Sequence, residues 1–162
     1  MVAAEPDPLG RDETEAERAD RNFNDILQEL RVTQTGVQVL FSLLLTVPFS
    51  QRFDKVTSFQ RDLYFVALLL AAATASTLVA PVSIHRLLFR TGEKPWVVTV
   101  SSRCAVAGTI LLLLTFTSVL LLVTDVLFAL PAAASVAGCF LVLSALLWFL
   151  PPLLRRRGAK TS

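Results

Sequence analysis

CAVAGTILLLLTFTSVLLLVT, residues 104–124, decides the fold. Its 21 residues run from Arg103 to Asp125 without a charged side chain. A helix rises about 1.5 Å per residue and the hydrocarbon layer of a bilayer is about 30 Å thick, so about 20 apolar residues cross it. The run is continuously apolar and lacks the inside–outside alternation of a barrel strand, so it reads as a transmembrane helix.

Three more stretches between one charge (or the lone histidine) and the next meet the same length. They are residues 32–51 with 20 positions, 63–84 with 22 and 126–154 with 29. The first is the least apolar, opening on VTQTG before VQVLFSLLLTVPF, but the other three already require a membrane around it. Composition agrees. The chain has 162 residues, 54% of them hydrophobic and 17% charged, with a mean hydropathy of +0.61. Soluble domains carry about 25% charge. Two cysteines and six glycines exclude a disulfide-stapled or collagen-like chain, and a net charge of +2 gives no footprint for nucleic acid.

These readings predict an all-α protein, a four-helix transmembrane bundle preceded by an amphipathic cytoplasmic helical arm. Residues 1–12 form a loose tail, 13–31 the arm continuing into the first span, 32–154 the bundle and 155–162 a basic tail. The spans fall at about 32–50, 63–84, 104–124 and 128–150. The termini and the second connection share one side and hold twelve Lys and Arg, against three (Arg52, Lys55, Arg61) on the other. The positive-inside rule places the richer side in the cytoplasm, giving four spans with both ends inside. The first thirty residues contain acidic DETEAERAD and no apolar core, so the first span is expected to direct insertion.

Aromatic anchors fit that orientation. Phe49, Phe53, Phe59 and Tyr64 are expected at the outer interface, Trp96 and Trp148 at the inner one. Pro48, Pro95, Pro131, Pro151 and Pro152 lie near span ends, whereas Pro81 falls inside the second span and is expected to kink it. In the arm, Phe23, Ile26, Leu27 and Leu30 share an arc of about 100°. That face has three placements: flat on the inner headgroups, which is the simplest, under the bundle, or against another copy.

Arg31, Gln34, Thr35, Gln38, Ser42 and Thr46 recur at three- and four-residue steps and make one polar stripe on the first helix. Glutamines in hydrocarbon need partners, so the stripe faces protein or water. Two roles are open: interhelical adhesion, or the lining of a pathway in an oligomeric channel or small transporter. Ala67, Ala71 and Ala75 on the second helix, and Ala134 with Gly138 on the fourth, are small-xxx-small patterns that allow close approach.

Chemistry-bearing motifs are sparse. His85, Arg86 and Arg90 form a candidate cytoplasmic-interface site, where the histidine either touches headgroups or titrates and biases a gate. No metal-ligand cluster accompanies His85, and no cofactor is expected. Cys104 and Cys139 lie in different spans without a C-x-x-C and are expected as small packing residues. No nucleophilic triad, P-loop, Rossmann or zincin motif occurs, so an enzyme is not expected. No span carries Asp or Glu, and Asp125, expected in an outer turn, is too far out for proton-coupled export. The expected partners are the lipid bilayer, anionic inner-leaflet lipids at the basic segments, and further copies or other membrane proteins. The tail RRRGAK has no aromatic platform for nucleic acid.

Three strings carry a resemblance: LRVTQTGVQVLFSLLLTVPF (residues 30–49), APVSIHRLLFR (80–90) and RCAVAG (103–108). Across residues 22–150 the chain resembles a family of small, uncharacterised four-span actinobacterial integral membrane proteins. QTGVQ and the HR pair after Pro81 are the most specific pieces. The resemblance implies a four-span plasma-membrane protein and carries no activity with it. Twelve arginines against three lysines suit a GC-rich genome. The role left by these readings is non-enzymatic, through self-assembly or membrane partners.

Overall fold

The computed structural model describes residues 15–51, 53–88 and 94–158. Four helices fill it: α1 (Glu15–Thr46), α2 (Ser58–Leu87), α3 (Lys94–Leu127) and α4 (Leu130–Gly158). Two short 3₁₀ turns, Val47–Phe49 and Phe53–Lys55, link α1 to α2, and no strand occurs among the described residues. All four helices are long and apolar enough to cross a membrane, over Arg21–Phe49, Ser58–Leu87, Trp96–Leu127 and Leu130–Pro152. The expected loose N-terminal tail, Arg90 and most of the basic tail lie outside the described residues or have side chains that do.

Helix α1 runs unbroken through Gly36, because a single glycine lowers helix propensity by only about 1 kcal/mol. Its buried residues Phe23, Leu30, Val37 and Leu44 fall seven apart. On α2 the buried set Tyr64, Ala67, Ala71, Thr74, Leu78 and Pro81 steps by three and four. These are the seams of left-handed, coiled-coil-like helix packing. Neighbours run antiparallel: Gln34 and Tyr64 of α1 and α2 reach Leu78 and Leu44 respectively, and Thr74 of α2 meets Thr115 of α3.

The packing is uneven. α1 lies on α2 and α3, the α2–α3 pair is the most extensive contact, and α4 touches α3 alone among the described residues. Three helices thus form a core, and the fourth is applied to the outer side of α3. Gly108 permits the close α2–α3 approach. A Cβ there would press into the Leu78 side chain, 2.9 Å from its Cγ. Of the two expected small-residue faces, Ala67, Ala71 and Ala75 do pack inward. On α4 the face is shifted by one position: Ala133 and Ala137 are buried, whereas Ala134 and Gly138 are exposed. AAAS–VAG satisfies the same spacing twice, and only packing against α3 selects between the two registers.

Several placements differ from the sequence expectation. The arm continues α1 along the side of the bundle, its apolar face turned onto the other helices. Phe23 is buried and Ile26 joins the cluster of Leu30, Val37, Leu78 and Leu112. Tyr64 is buried, not an interfacial anchor: its hydroxyl donates to the Leu44 carbonyl at 3.0 Å and its ring meets Phe53 edge-on. Phe49 and Phe59 remain exposed, as anchors would be. Asp125 belongs to the last turn of α3 instead of a loop, because the helix continues through Leu127. Cys139 is exposed and so does not pack, whereas Cys104 is half-buried; both are free thiols.

Candidate functional site: the polar residues of the first helix

The stripe on α1 divides between two faces. Gln34 turns inward and its Nε2 donates to the Leu78 carbonyl of α2 at 2.6 Å. Pro81 lies three residues after Leu78 and has no N–H to offer the Thr77 carbonyl, so this turn of α2 is short of a backbone donor. Proline inside a membrane helix is tolerated where side chains of neighbouring helices supplement the backbone, and Gln34 does so one carbonyl along. Gly108 of α3 sits against the same Leu78, so all three core helices meet at one level.

Thr35, Gln38, Ser42 and Thr46 face outward and are exposed, as is Arg31 at the stripe's polar end. Thr35 Oγ1 donates to the Arg31 carbonyl at 3.1 Å, Ser42 Oγ to Gln38 at 2.8 Å and Thr46 Oγ1 to Leu43 at 2.7 Å. Those hydroxyls are satisfied within their own helix. The Gln38 side-chain amide has no hydrogen-bond partner among the described residues. Together with Val39 and Leu43, these residues line a shallow groove on the outside of α1. Within one chain the stripe therefore does not line an interior path.

Sequence reasoning missed a second polar cluster at the opposite end of the bundle from Phe23. Thr57 and Gln60 form a capping box at the start of α2, with Gln60 N donating to Thr57 Oγ1 at 3.2 Å and Thr57 N to Gln60 Oε1 at 3.1 Å. The same Gln60 donates through Nε2 to Asp125 Oδ2 of α3 at 2.9 Å, tying the two helix ends together. The T-x-x-Q spacing before an apolar run was the available signal. Beside it, Leu40, Leu44, Phe53, Tyr64 and Leu122 wall an apolar cavity of about 400 Å³.

The candidate interface residues separate. His85 is half-buried, with its ring stacked on Phe23 of the arm at 4.4 Å and 29°. Arg86 is exposed, and Arg90 lies outside the described residues. His85 thus holds the arm to the end of α2, a role its position beside Arg86 did not reveal.

Four long apolar helices, one of them carrying a polar face that the other described residues leave uncovered, define a helical bundle of the membrane type. Within that class the chain belongs to a family of unknown function, DUF6328, whose model matches residues 12–152. No curated protein and no solved structure matches it.

Proposed function

We propose that this chain is a multi-pass protein of a bacterial plasma membrane, with both termini in the cytoplasm. It works without catalysis, by associating with itself or with other membrane proteins. The outward polar face of α1 carries this reading. Gln38 is exposed on a helix of span length, seven residues after Arg31 and eleven before Phe49. At about 1.5 Å per residue, those separations put it near the middle of a hydrocarbon layer about 30 Å thick. An amide left there without a partner costs roughly 2–7 kcal/mol. A protein neighbour removes that penalty, and lipid does not.

The orientation is supported by the twelve basic residues on one side against three on the other. Anionic inner-leaflet lipid would attract those segments by about 1 kcal/mol per basic residue near the surface. Conduction has less support than association, because Gln34 is engaged with Leu78 and the remaining stripe is on the outside of the chain. Purification in mild detergent, with mass measurement and identification of co-purifying proteins, tests the proposal. The expected particle contains more than one 17.7 kDa chain or a membrane protein partner. A single bare chain at every protein-to-detergent ratio would contradict it.

A further inference from the structure

We infer that a second copy of this chain docks along Asn24, Gln28, Arg31, Thr35, Gln38 and Ser42 of α1, in parallel, with the two Gln38 amides facing each other. The inference rests on the association reading above and names its partner and its surface.

The six residues step by four, three, four, three and four, and every one is exposed. That is the spacing of a second helix-packing seam. The first seam of α1, through Phe23, Leu30, Val37 and Leu44, is used against α2 and α3. The second has no neighbour among the described residues and crosses from the arm into the span without a break in the helix. Lipid does not account for it. An apolar surface would suit hydrocarbon, yet within the charge-free stretch this face presents Thr35, Gln38 and Ser42, all exposed.

Its chemistry selects another copy. Thr35 and Ser42 are short, and their hydroxyls already donate to their own helix, so they offer a low surface on which a second helix can lie. Between them stands the amide of Gln38, in the groove bordered by Val39 and Leu43. A carboxamide both donates and accepts, so two identical amides satisfy one another across a two-fold axis. Copies inserted by the same rule cross the membrane in the same sense, which brings Gln38 to the depth of its counterpart. Facing Gln38 amides also favour one register, since a slip of one helical turn moves each away from its counterpart. The like-charged Arg31 residues lie at the end of the charge-free stretch, where long side chains extend into water.

Disulfide trapping in native membranes tests this. In a background with Cys104→Ala and Cys139→Ala, the single replacements Thr35→Cys, Gln38→Cys and Ser42→Cys are compared with Val142→Cys on the exposed face of α4. Oxidation should give homodimer at the three α1 positions, at least about tenfold above the α4 control. Gln38→Leu in the otherwise native chain should weaken dimerisation about threefold to thirtyfold while leaving the unfolding midpoint of the monomer unchanged. Dimer trapped chiefly through Val142→Cys overturns the inference. Adducts at the α1 positions that contain a different protein also overturn it, and leave the association reading standing. No adduct at any position, with a single-chain mass, removes both.

Discussion

Gln34 and Gln38 are one helical turn apart on α1 and have different surroundings. Gln34 reaches the Leu78 carbonyl, while Gln38 has only the outer groove. Four residues advance the direction of a side chain by about 40°, enough to carry a broad stripe across the edge of a packing face. The sequence showed that both amides need partners, but not where the edge falls, because that depends on how α2 and α3 sit. The same limit separates Ala133 from Ala134: adjacent positions with equivalent spacing, chosen between by tertiary contact. Gln34→Leu removes the bond to Leu78 and should lower stability in detergent by about 0.6–2 kcal/mol. Thermal or denaturant unfolding reads that change, and a variant as stable as the parent would remove Gln34 as an adhesion point.

Helix ends were harder to read than helix middles. Charge-free length located all four helices, since charge marks where lipid stops. It does not mark where a helix stops. Among the described residues α1 is already helical at Glu15 and α3 at Lys94, and α4 is still helical through Pro151 and Pro152 at Gly158. The start of α2 is set by the Thr57–Gln60 capping box, five residues before the apolar stretch that begins at Leu63. Gln60 then links that start to Asp125, so one side chain serves the cap and an interhelical contact. Gln60→Ala loses both and should destabilise the bundle by about 1–3 kcal/mol. Asp125→Asn keeps an acceptor for Gln60 and should cost less. Equal losses in the two variants would show that the tie to α3 outweighs the cap.

The molecule as a whole is an open assembly: a three-helix core, a fourth helix on α3, and an arm held against the end of α2 by Phe23 on His85. Such an arrangement leaves wide apolar faces, which suit lipid, and one polar face, which does not. That contrast is the physical basis of the proposed association, and it depends on the chain crossing a bilayer four times with both ends inside. Labelling of single cysteines in intact cells with a membrane-impermeant maleimide, in the Cys104→Ala and Cys139→Ala background, tests the crossing directly. Asp54→Cys, exposed between α1 and α2, should react before the cells are opened. Thr91→Cys, between α2 and α3 in sequence, should react only after lysis. Reaction of Thr91→Cys in intact cells with protection of Asp54→Cys would contradict the orientation, and immediate reaction of both in the soluble fraction would contradict the membrane itself.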